Sequence, residues 1–202
     1  MGGGRNGLTT LSGAQALTLF VVGAVGGLIG DAAHVQTGTT TYLSDAVPFV
    51  WESALWFPLA VGLATVATGD LRLRLGSVEP WRGERLREAV TAIAAVLAIY
   101  AVSALVSDQP EGPGTTLVVM LAVICVARFA SGPPALICGL AAAVLGPIVE
   151  IVLVDVDAAR YGLDSDGLFG VALWLPALYF AFGAVVSRLT ELLVAEPATD
   201  AG

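Results

Sequence analysis

The chain has 202 residues, of which 56% are hydrophobic and only 13% charged, and its formal net charge is -8. Soluble domains carry about a quarter charged residues, so this composition excludes an ordinary water-facing globular surface. The acidic balance excludes a basic face that tracks nucleic-acid phosphates. All nine basic residues are arginine, which together with the richness in Ala, Val and Gly fits a high-GC bacterial genome.

A membrane helix needs about 20 apolar residues to cross about 30 Å of hydrocarbon. The first such run is Leu11 to Gly30, closed by Asp31. Arg5 and Gly30-Asp31-Ala32 loosely mimic a cleaved leader, but the length of the run and the aspartate favour a retained helix. Asn6 stands where acylation of Met1-Gly2 would want Ser or Thr. Within this run Gly23 and Gly27, overlapped by Gly26 and Gly30, form small-residue pairs four apart that let helices approach closely.

The second run is Phe49 to Gly69, with Glu52 near one edge and Pro58 inside. The connection from Leu71 to Glu88 holds five arginines and Trp81, a pattern of membrane adhesion. The third run is Ala89 to Val106. The fourth, Gly112 to Ala130, is the weakest, with Arg128 near its end. The fifth, Ala135 to Val154, contains Pro147, Glu150 and a smooth face of Ala135, Gly139 and Ala143. The sixth, 168–190, is uncharged from Leu168 to Val186 and contains Pro176. Prolines inside spans predict bent helices and room between them.

The expected fold is therefore all-α: a polytopic six-transmembrane-helix bundle with kinked helices, forming a single transmembrane domain over residues 1–202. With the N-terminus inside, every arginine except Arg160 falls on the inner side, so both termini are expected in the cytoplasm of an inner (plasma) membrane.

Chemistry-bearing motifs are sparse. Cys125 and Cys138 lie in apolar runs, His34 is the one histidine, and no metalloprotease, hydrolase or phosphate-loop signature occurs. No enzyme, metal or cofactor is expected. Asp164-Ser165-Asp166-Gly167 places glycine too early for a calcium loop. Glu150 is the intramembrane carboxyl, a site by default or a structurally satisfied group.

Several stretches resemble the Insig (insulin-induced gene) membrane proteins. They are Leu19-Phe20-Val21-Val22-Gly23 with Val35-Gln36, Ser53-Ala54-Leu55-Trp56-Phe57-Pro58 with Gly62, and Leu75-Gly76. Ser131-Gly132 and Trp174-Leu175-Pro176 with Phe180 and Gly183 follow in the same order. The resemblance implies a non-catalytic helical bundle that binds a lipid within the membrane. In eukaryotes the family senses oxysterols, retains the escort protein Scap and delivers HMG-CoA reductase for degradation. Ala127 before Arg128 replaces the family's partner-binding aspartate, which argues against a Scap-type partner.

The leading expectation is a membrane lipid sensor holding a sterol or a diacylglycerol-like lipid, with the glycerolipid favoured. Trp56, Tyr100, Ser103, Arg128 and Trp174 are the candidate ligand-binding residues, as polar or amphipathic groups on the spans. Gly23, Gly27 and Gly30 are candidates for helix packing or for a homo-oligomer. The alternatives are a small transporter or channel subunit using Glu150, and a self-associating scaffold.

Overall fold

The computed structural model describes residues 10–43 and 49–196. Arg5, Asn6 and Met1-Gly2, on which part of the orientation and acylation readings rests, lie outside the described residues. Six helices run antiparallel in chain order: α1 (Gly13–Gln36), α2 (Trp56–Arg74), α3 (Arg85–Leu105), α4 (Glu111–Phe129), α5 (Pro133–Asp155) and α6 (Leu175–Val194). Short strands β1 (Thr40–Tyr42), β2 (Phe49–Val50) and β3 (Ser53–Ala54) separate α1 from α2, and β4 (Ala159–Tyr161) follows α5.

All the helices except α2 are long and apolar enough to cross a membrane. In α2 the last turn, with Asp70, Arg72 and Arg74, lowers the hydropathy. The most apolar window of α6 is 61% buried, against 22–33% in the other four. α6 is thus the axis of the bundle, and α1 to α5 surround it. The outer helices turn side chains such as Val21, Val123, Leu140 and Ile148 outward, as lipid-facing surfaces do.

Helix boundaries follow backbone chemistry more than hydropathy. The sequence suggests spans from Phe49 and Leu168, whereas α2 starts at Trp56 and α6 at Leu175. Pro58 and Pro176 sit in first turns, where a missing N–H leaves no helical bond unmade. They open helices instead of bending them, and Pro147 is the proline inside a helix. Residues 49–54 form the β2–β3 hairpin, turning at Trp51 (φ 50°) and Glu52 (φ 67°). Conversely, α1 continues past Asp31 to Gln36 because Asp31 and His34 find partners inside the protein.

The close approaches are internal. A Cβ on Gly23 would strike Thr65, one on Gly27 would lie 2.8 Å from Val61 Cβ, and one on Gly30 would lie 2.5 Å from Tyr100 Cδ1. Gly139 and Gly146 of α5 likewise admit Phe180 and Tyr179 of α6. The two helix ends differ in how they are closed. At one, β1 pairs antiparallel with β4, Thr40 opposite Tyr161, tying the α1–α2 connection to the α5–α6 connection. At the other, arginines and glutamates from four helices interlock.

Candidate functional site

A cavity of ≈ 300 Å³ lies between α2, α5 and α6, with Tyr100 of α3 at its inner wall. Small side chains create it. Ala60, Ala64 and Ala67 line α2 at helical spacing, and Ala141, Ala142 and Gly146 face them from α5. A second apolar void of ≈ 50 Å³ lies between α1, α2, α3 and α6. Val61, Tyr100 and Phe182 line both, so these three side chains divide one space from the other.

The cavity is apolar except where Thr68, Glu150, Tyr100 and Tyr179 reach it. Glu150 is buried and accepts a hydrogen bond from Tyr179 Oη at 2.8 Å. Beyond Glu150, toward the β1–β4 sheet, a small chamber of ≈ 20 Å³ is lined by Asp31, His34, Thr40, Tyr42, Glu150 and Tyr161, with Trp56 and Phe57. Tyr42 donates to Asp31 Oδ2 at 2.6 Å. Burial holds the phenols of Tyr42 and Tyr161 well above their ordinary range, and nearby carboxylates add to the shift. Both therefore remain protonated donors.

Behind the chamber, Ser103 Oγ donates to the Tyr100 carbonyl at 2.9 Å, so it accepts from His34 Nε2 at 2.9 Å. That places a proton on Nε2. Trp174 packs on His34, with ring centroids 5.3 Å apart.

Four of the five ligand candidates thus meet at the sheet end, in different roles. Tyr100 lines the cavity, Trp56 lines the chamber edge-on to Tyr42 (5.7 Å, 87°), and Ser103 and Trp174 support His34. Arg128 lies at the opposite end. Its exposed guanidinium holds Glu88 at 2.8 and 3.1 Å and does not line the cavity. Asp31, His34, Tyr42, Tyr161 and Tyr179 were absent from the sequence-derived site. Asp31 and His34, three apart at the end of an apolar helix, were the available signal for the first two. The tyrosines gave none, since their approach to the carboxylates depends on how α5, α6 and the sheet assemble.

The ion-pair network closes the arginine-rich end. Arg72 Nε meets Glu191 at 2.7 Å, and the other guanidinium nitrogens of Arg72 donate to the carbonyls of Gly76 and Ser77. Arg188 bridges Glu191 and Glu88 and stacks over Trp81 at 4.3 Å.

No protein-family model matches the chain. The sequence is 50% identical over 181 residues to the INSIG protein homolog of Mycolicibacterium vanbaalenii, covering 90% of this chain and 87% of that protein. The fold is similar to the crystal structure of the mycobacterial Insig homologue MvINS from Mycobacterium vanbaalenii. The TM-score is 0.88 at 48% identity, over 95% of this chain and all of that one. A cross-linked trimer of a cysteine variant of MvINS gives the same TM-score at 46% identity and equal coverage.

Proposed function

The chain belongs to the Insig family of membrane proteins, and from that premise we propose that it is a non-catalytic receptor for one apolar lipid, held in the cavity between α2, α5 and α6. The observation that carries this reading is a ≈ 300 Å³ space walled by alanines and leucines that ends on one buried carboxyl. Such a site removes hydrocarbon from competing surfaces at about 25 cal/mol per Å² and orients one polar head. Glu150 and Tyr179 suit a hydroxyl, the group that diacylglycerols and sterols share. The glycerolipid is favoured because the cavity can admit one chain while the second stays in the bilayer.

The alanine lining of α2 and α5 supports the lipid reading over the transporter reading, since a translocation path needs more polar groups. The trimer of the relative extends, as part of this proposal, to a homotrimer here, with both termini cytoplasmic. Lipid mass spectrometry on gently solubilised protein tests the proposal. Stoichiometric diacylglycerol or sterol, displaced by added ligand of the same class, is expected. Protein that carries no lipid and binds neither class defeats it, and proteoliposome flux abolished by Glu150→Gln would install the transporter in its place.

A further inference from the structure

Two carboxyl side chains line one small chamber from helices far apart in sequence. Asp31 on α1 and Glu150 on α5 both line the ≈ 20 Å³ void, and they are 4% and 7% exposed. No arginine lines it. Arg160, on the adjacent strand β4, is mostly exposed and lies 4.0 Å from Asp157. His34 is also in the wall, with its Nε2 proton spent on Ser103. Tyr42 donates to one oxygen of Asp31, Oδ2, at 2.6 Å. A carboxyl buried without a basic partner either keeps its proton or takes a cation as counter-charge.

An independent observation points to a guest. Thr40 is 7% exposed and lines the same void, yet its Oγ1 has no hydrogen-bond partner among the described residues. Buried hydroxyls are normally satisfied by protein or by ordered water, so an occupant is expected in this void. The void exceeds the space needed for one water-sized occupant and falls far short of a lipid head.

We propose that the chamber binds one monovalent cation of sodium's size, ligated by the Asp31 carboxylate, Thr40 Oγ1 and the Glu150 carboxyl. Hard cations take oxygen ligands of this kind. The described residues contain no group of three His, Cys, Asp or Glu side chains able to hold a metal ion. Calcium takes six to eight oxygens and magnesium keeps several waters, for which the chamber has no room. A bound ion would tie α1 to α5 beside the sheet at that end of the bundle. The lipid reading concerns the cavity on the other side of Glu150, so either occupant can be absent without removing the other.

Thermal unfolding of the full chain in detergent, with NaCl exchanged for choline chloride at constant ionic strength, tests the site. A saturable rise of about 5 °C in sodium is expected. Thr40→Val, which keeps the side-chain shape and removes the orphan oxygen, should raise the half-saturating sodium concentration about tenfold. Asp31→Asn should abolish the response. Equilibrium dialysis with radioactive sodium should find one ion per chain. Equal midpoints in the two salts, a response to calcium alone, or a sodium effect untouched in Thr40→Val would overturn the proposal and leave water as the occupant. Should Asp31→Asn fail to fold, Thr40→Val decides the matter.

Discussion

Arg72 and Glu191 are both buried, and they meet across α2 and α6. A buried ion pair is weak evidence of stability as a whole, but removing one partner leaves an unpaired charge that costs about 3–5 kcal/mol. Glu191→Ala should therefore unfold well below the parent temperature in detergent. The double change Arg72→Met with Glu191→Leu should recover most of that loss, and a double variant no better than the single would contradict the pairing. At Gly27 the argument is steric. A leucine there collides with Val61, and overpacking of this kind costs about 1–3 kcal/mol. Gly27→Leu should lower the unfolding midpoint of the six-helix bundle itself. An oligomer that dissociates while the midpoint holds would place α1 against a second copy instead.

At the scale of elements, the bundle turns on α6, whose buried side chains face neighbours on every side. The outer helices are packed unevenly against one another. α1 lies closely along α2 through its glycines, whereas α2 and α5 scarcely touch, and the cavity occupies that gap. Filling it separates ligand binding from folding. Ala64→Leu projects into the cavity from α2 and should reduce bound lipid severalfold in mass spectrometry. Its midpoint should hold or rise, because apolar volume is added where space exists. Unchanged lipid content would move the binding site elsewhere. The small-residue face of the fifth span was legible in the sequence, whereas the alanines of α2 gained meaning only opposite it. Whether such a face grips a neighbour, as Gly27 does, or lines a space depends on the distance to the opposing helix.

For the molecule as a whole, the two ends carry opposite characters, a sheet with buried carboxylates at one and interlocked arginines at the other. In the proposed orientation, read from the arginine bias, the second end faces the cytoplasm. Cysteine placed at exposed Arg160 should react with a membrane-impermeant maleimide on intact cells, and cysteine at exposed Arg74 only after lysis. The native thiols, Cys125 and Cys138, are buried and give little background. The reverse labelling pattern would invert the topology. Hydropathy, proline and the order of small motifs were enough to establish a six-helix membrane bundle and its family, because spanning a bilayer constrains local composition directly. The same information placed Tyr100 and Glu150 among the residues of interest. It did not place Arg128 beside Glu88, since a charge near a span's end looks the same whether it faces a ligand or a glutamate on another helix. The cavity, the chamber and the partners of Asp31 and His34 were settled only by tertiary structure. They join residues on separate elements, Asp31 with Tyr42, His34 with Ser103 and Glu150 with Tyr179, and burial of a polar group becomes tolerable only once its partner has arrived.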